Sequence, residues 1–174
     1  MSRVMRGGFA AATLALVVAA APLAAQAPVK VELKDAQGQS IGSASLSSAM
    51  GAVHIQLDLK GLKPGPHALH VHAAAKCEAP GFTTAGPHLN PGNKKHGLQS
   101  TEGPHAGDME NFTVAADGTA KAMIMAKGIT LGSEPNSVFA NGGTALVVHA
   151  GPDDGKTDPS GGSGDRIACG VITK

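Results

Sequence analysis

The chain of 174 residues has no tryptophan, no tyrosine and only four phenylalanines. It therefore lacks the aromatic platforms on which single-stranded nucleic acids stack. Nor does it have a basic excess: the formal charge is +1, and it becomes −1 once Arg3 and Arg6 are removed with the leader described below. Nothing in that balance suits a polyanion, and nucleic acid is excluded as a partner. Cysteine is scarce too. Cys77 and Cys169 are the only two, they form no CxxC pair, and in an exported chain a single disulfide is the default for such a pair. Helical periodicity is missing beyond the first 27 residues, as are internal repeats and low-complexity tracts.

What is present begins with "MSRVMRGGFAAATLALVVAAAPLAAQA", a short basic start, an apolar middle and an Ala-x-Ala end at Ala25 and Ala27. This is the pattern of a cleavable secretory signal over residues 1–27, leaving one domain over 28–174. Pro22 breaks the apolar run and no charged stop-transfer flank follows it, so no membrane anchor is expected after cleavage. The expected location is periplasmic or secreted.

Several segments alternate apolar and polar residues with the period of a half-buried strand. "VKVELKD" puts Val29, Val31 and Leu33 on one face, and "AVHIQLDLK" does the same with Val53, Ile55, Leu57 and Leu59. "FTVAADGTAKAMIMA" reads as two strands around a turn at Asp117 and Gly118, and "TALVVHA" and "RIACGVI" supply two more. Two Gly/Pro-rich connections, residues 74–110 and 150–165, are longer than an ordinary loop and are expected to be functional. The fold class these signals give is all-β, an antiparallel sandwich or barrel.

Histidines mark the chemistry. In "GPHALHVHA", His70 and His72 are two apart on a strand and project from the same face, which makes half a metal site. His67 sits at an odd offset and reads as structural, bonded to backbone, while His54 alternates with core residues and reads as a solvated surface side chain. The first long loop holds His88, His96, His105 and Asp108, a complete tetrahedral set for Zn²⁺. His149 ends a strand, and His70, His72, His149 and one further imidazole suit copper. His88 is the ring best placed to serve both sets.

The motifs "HVH", "AGPHLNP", "KKHG", "GPHAGD", "LVVHAGPDD" and "SGDRIACGVI", in this order and at these intervals, resemble the copper/zinc superoxide dismutase family from about residue 29 to the C-terminus. The resemblance implies a Greek-key antiparallel β-sandwich or flattened barrel with two long functional loops. It implies copper on His70, His72, His88 and His149, and zinc on His88, His96, His105 and Asp108. Arg166 would be the active-site arginine, Asp153 the carboxylate joining His70 to His96, and Cys77–Cys169 the family's disulfide. The activity implied is dismutation of superoxide to O₂ and H₂O₂, with His88 carrying a proton as well as bridging the metals. Superoxide anion is the expected partner, and the family leaves a homodimer open. Lys156 in the second loop is a candidate for long-range attraction of the anion. The resemblance also exposes departures: Ala73 follows HVH where glutamate is frequent, and Asp165 stands beside Arg166. The rival functions are a secreted copper-binding or copper-delivery protein on the same scaffold, a structural sandwich whose metals staple its loops, and a blue-copper carrier. The last is disfavoured because neither cysteine lies in a histidine cluster.

Overall fold

The computed structural model describes residues 27–174, so the expected leader lies outside the described residues except for Ala27. Nine strands form: β1 Val29–Asp35, β2 Ser40–Ala49, β3 Ala52–Leu59, β4 Gly65–His67, β5 Leu69–His72, β6 Phe112–Val114, β7 Ala120–Ala126, β8 Thr144–His149 and β9 Arg166–Ile172. Among the described residues no helix is long and apolar enough to cross a membrane.

Seven strands make one sheet in the order β5-β8-β9-β1-β2-β3-β7, and β4 pairs with β6 in a separate ribbon. All the pairings are antiparallel. β1, β2 and β3 follow one another as a meander, whereas β7 joins β3 and β9 joins β1 from far along the chain. Long returns of this kind are the connections of a Greek key. The expected all-β fold class is what the chain adopts.

The alternation read from sequence is also the burial pattern. Val31 and Leu33 on β1, and Val53, Ile55, Leu57 and Leu59 on β3, are buried in a core that also takes Leu46, Leu69, Val71, Leu146, Val148 and Ile172. Aliphatic side chains fill the volume that a Trp or Tyr would otherwise occupy. The turn at Asp117 and Gly118 sends its two strands to different sheets, because β6 pairs with β4 and β7 with β3.

Two parts of the fold carry no clean sequence signal. In β2 the buried residues are Ile41, Ala44 and Leu46, a step of three and then two, because the pairing with β1 slips between Leu33 and Lys34. That bulge interrupts the period of two on which strand recognition depends. Gly42 lies at the slip with φ +129, and a Cβ there would collide with the Asp58 carbonyl. The second part is a third long connection, residues 127–143, which buries Ile129, Leu131 and Val138 against the core and is closed by a bridge between Thr130 and Ser137. Its apolar residues are too irregularly spaced to show a period.

The first long loop is fastened at both ends. Cys77 and Cys169 form a disulfide, tying the loop to β9. Beside it Phe82 and Ala85 pack on Ala145 and Val147 in a small second core. Farther along, the loop laces onto β5: Leu89 N–H donates to Val71 O at 2.8 Å, Val71 N–H to Gly107 O at 3.0 Å, and Gly107 N–H to Leu89 O at 2.9 Å. Gly107 approaches so closely that a Cβ would meet the Val71 carbonyl.

The disulfide spans a sequence separation of 92. Replacing both cysteines by serine should cost the metal-free protein roughly 4–5 kcal/mol by the chain-entropy estimate. A denaturant titration measures this as a lower midpoint, with a steeper slope because the unfolded chain without its cross-link is less compact, and a loss under about 1 kcal/mol would show that packing of Phe82 alone holds the loop.

Candidate metal centre

Strand geometry brings the first group together. His70 and His72 share the face of β5. The pairing of β8 with β9 slips between Val148 and His149, and this irregularity turns the end of β8 toward those two rings. His88 reaches the same place by an antiparallel bridge to His72. Ring centroids of His70 lie 4.1 Å from His88 and 4.9 Å from His149, and those of His72 lie 4.8 Å from His88 and 5.7 Å from His149. His70, His72, His88 and His149 are all buried and form a group whose donor atoms lie within 4.8 Å of one another.

Each strand ring spends one nitrogen on the protein. His70 Nε2 is 2.7 Å from Asp153 Oδ2, His72 Nδ1 donates to Gly86 O at 2.8 Å, and His149 Nδ1 donates to Gly164 O at 3.2 Å. The other nitrogens, His70 Nδ1, His72 Nε2 and His149 Nε2, are sealed from solvent and have no hydrogen-bond partner. A ring that donates from one nitrogen presents a bare lone pair at the other. Three such lone pairs buried in one place would cost roughly 1–3 kcal/mol each if left unsatisfied, and a cation shared among them satisfies all three. Burial lowers the pKa of every ring in the group, to about 2 for His72 and about 4 for His88 and His149. These rings are therefore neutral donors at physiological pH.

The second group is built on one carboxylate. Asp108 Oδ1 lies 2.8 Å from His88 Nδ1, 3.1 Å from His96 Nδ1 and 3.2 Å from His105 Nδ1. His105 Nδ1 is 3.4 Å from His88 Nδ1. A tetrahedral ion with bonds of about 2.0 Å separates its donors by about 3.3 Å, so these spacings suit Zn²⁺ without rearrangement. The backbone N–H groups of Gly97 and His105 both donate to Asp108 Oδ2 at 2.9 Å and orient the carboxylate. Burial alone would raise its pKa, but the bonds from His88, His96 and Gly97 hold it well below the usual carboxylate range. Burial alone would likewise lower His96, yet carboxylates stand at both its ring nitrogens and raise it to about 9.

His88 belongs to both groups. A second link is Asp153, whose Oδ2 lies 2.7 Å from His70 Nε2 and 2.9 Å from His96 Nε2. Asp153 is itself clamped: Asn111 Nδ2 donates to its carbonyl, its own N–H donates to Asn111 Oδ1, both at 2.8 Å, and Gly155 N–H donates to its Oδ1 at 2.6 Å. Sequence reasoning missed Asn111. A lone asparagine between a loop and a strand carries no chemical pattern, and its role is only visible once residues 111 and 153 are neighbours.

Arg166 opens on a cleft of about 920 Å³ that is also lined by His72, His88, His149, Lys94 and Lys95. Its guanidinium donates to Phe82 O at 2.8 Å and to Gly86 O at 2.9 Å, two carbonyls of the disulfide-tied loop. Among the described residues it makes no ion pair with Asp165. Lys156 does not line the cleft, so Lys94 and Lys95 stand nearer the anion's approach; Lys95 lies 3.5 Å from Asp158. His67 is outside both groups, with its ring nitrogens 2.7 Å from His149 O and Lys63 O, a backbone brace as expected.

Comparison with known proteins agrees with this geometry. A family model described as copper/zinc superoxide dismutase matches residues 40–172. A relative from Aquifex aeolicus named superoxide dismutase [Cu-Zn] 2 is 48% identical over 143 residues, covering 81% of this chain and 84% of its own. Another, superoxide dismutase [Cu-Zn] from Caulobacter vibrioides, is 41% identical over 144 residues, covering 80% and 82%. Among solved structures, a double mutant of a SOD-like protein from Bacillus subtilis superposes with a TM-score of 0.82 at 33% identity, covering 86% of this chain and 100% of that one. The Cu/Zn superoxide dismutase from Brucella abortus gives 0.69 at 30%, covering 83% and 99%.

The shifted histidines set the pH dependence of the metal-free protein. Rings whose folded pKa lies below the unfolded value of about 6.5 let the unfolded chain bind more protons as pH falls, so stability drops from pH 6.5 toward 4. His96 acts oppositely: its contribution is complete below 6.5 and is lost as pH rises through about 9. Thermal stability should therefore peak near pH 6.5 and fall by roughly 5 °C or more on each side. Adding Zn²⁺, which takes the place of the His96 proton, should flatten the alkaline limb; an alkaline limb absent from the metal-free scan would contradict the charged state of His96.

Proposed function

Because the chain belongs to the copper/zinc superoxide dismutase family, we propose that its two histidine groups divide the work of one reaction between them. The protein is an oxidoreductase that dismutates superoxide, with copper and zinc as cofactors. Copper would be held by His70, His72, His88 and His149, and zinc by His88, His96, His105 and Asp108. The observation that carries this assignment is the set of three unpartnered ring nitrogens on His70, His72 and His149. When bound, copper supplies one-electron cycling, through which one superoxide loses an electron to become O₂ and a second gains it, with two protons, to become H₂O₂.

The chain's own residues do the rest. Arg166 has two of its donors fixed on Phe82 O and Gly86 O, and the remainder of its planar fork is free to dock a small anion beside the first group. Lys94 at the cleft edge adds attraction at longer range, an effect that salt screens. His88 faces Asp108 through Nδ1, leaving Nε2 for the first group and for a proton handed to the reduced product. Asp153 fixes the tautomers of His70 and His96 together, as outer partners of metal ligands commonly do. We assign the mature protein to the periplasm or the exterior, which the Cys77–Cys169 disulfide supports, and residues 1–27 to its leader.

Metal analysis of the mature protein should give copper and zinc in equal amounts, with dismutation lost on copper removal and regained on its return. Copper bound without turnover would instead favour a delivery protein. Arg166→Gln should lower the second-order rate at least tenfold and flatten its salt dependence, as measured by pulse radiolysis; an unchanged rate would remove Arg166 from the mechanism.

A further inference from the structure

Three of the four methionines among the described residues are exposed, at 90% for Met50, 58% for Met123 and 53% for Met125. That is unusual in a chain with so few large side chains, since exposed apolar groups that cluster mark contact sites. Met123 and Met125 are two apart on β7 and project from its outer face, because Ile124 between them is buried. β7 is the last strand of the sheet. Directly opposite Met125 in the register stands His54 of β3, and opposite Met123 stands Gln56. His54 is only half-exposed, contrary to the solvated side chain expected from sequence, and its Nε2 is sealed from solvent without a hydrogen-bond partner.

We propose that His54, Met123 and Met125 form a surface site for a soft monovalent cation, Cu⁺ in the protein's own compartment. Side chains opposite one another across antiparallel strands have Cβ atoms about 5 Å apart, and neighbours on one face of a strand are about 7 Å apart. One imidazole and two flexible thioethers at those spacings can close on a single ion. The donor set is uncharged and sulfur-rich, which selects Cu⁺ over Zn²⁺ or Mg²⁺. The charged pair in the same ladder, Asp58 and Lys121, is already joined at 3.5 Å, and besides Asp108 only Glu110 among the described residues brings a carboxylate to the groove beside the methionines, too few oxygens for a hard ion. The imidazole is separate from both histidine groups, so this site does not compete with them for a ligand. Met123 and Met125 also line a groove of about 550 Å³ whose other wall includes His105 and Asp108. An ion held here therefore waits on a surface that runs to the second group.

Binding is tested with Ag⁺, a redox-inert probe of Cu⁺ sites, on the protein already loaded with copper and zinc, in chloride-free buffer. One additional equivalent should bind, and the isotope-labelled methyl resonances of Met123 and Met125 should shift together while that of Met50 stays in place. The M123L/M125L double variant should lose the additional equivalent yet dismutate superoxide at an unchanged rate, and H54Q should bind Ag⁺ at least tenfold more weakly. Retention of the additional equivalent in the double variant, or an equal response from Met50, would overturn the proposal; unaltered affinity in H54Q would remove the imidazole and overturn it equally. Metal binding is the deciding readout and the rate of the double variant only a control, so the proposal stands or falls separately from superoxide turnover.

Discussion

The structure depends on one constraint: imidazole lone pairs must be held bare, neutral and dry at a single point. Water would satisfy them individually, so the sheet end has to exclude it; the surrounding chain must then leave no donor of its own within reach. Both conditions are met by the same device. One nitrogen of each strand ring is tied to a carbonyl or carboxylate, which fixes the tautomer, and burial drives the ring pKa down so that no proton occupies the other nitrogen. Desolvation, ordinarily a cost to a polar residue, is here what keeps the donor available.

Holding that point still is the task of the loops, and their composition follows from it. Polar loop backbone must run against strands and against itself at distances a side chain would prevent. Gly107 does so at Val71 O, and Gly97 at the Gly155 carbonyl, where the first long loop meets the second. Gly161 passes so near Asp153 Oδ1 that only glycine fits. These contacts join two loops that share no regular structure, and the disulfide closes the first of them onto β9. The same closure places Phe82 and Gly86, whose carbonyls hold Arg166. A covalent link thus lies one residue contact away from the group proposed to receive the substrate.

Much of this was legible in the sequence, for a reason particular to metal sites. Ligand chemistry limits the residue types, and a strand's period of two places His70 and His72 on one face whatever the rest of the fold does. Asp153 could be assigned only through the family resemblance, since no periodicity links it to His70. What escaped notice depends on contacts between distant segments. β2 hides behind its bulge, Asn111 gains its meaning from Asp153, and Lys94 rather than Lys156 reaches the cleft because the first loop folds over its rim. His54 is more enclosed than a surface position on its strand suggests, because alternation reports which face a residue takes, and not what stands across from it on the next strand.

The two groups differ in charge, and that difference separates the roles proposed for them more firmly than geometry does. The first has no carboxylate among its four imidazoles, so even with His88 deprotonated to serve both groups a divalent cation there keeps a net positive charge in a partly dry cleft beside Arg166. The second includes Asp108, whose carboxylate stays ionised far below neutral pH and cancels part of any charge it holds. Asp153, ionised likewise, lies between His70 and His96, on the side of the first group away from the cleft lining. Among the described residues neither Asp108 nor Asp153 lines the cleft, and the one carboxylate that does, Asp158, is paired with Lys95, so positive potential from Arg166 and Lys94 prevails at the end facing solvent. An incoming anion meets the uncompensated group first, and at a separation of a few ångströms in a medium of intermediate dielectric such an imbalance amounts to several kcal/mol. A site with the carboxylate on the cleft side would have the same ligand count and would repel its substrate.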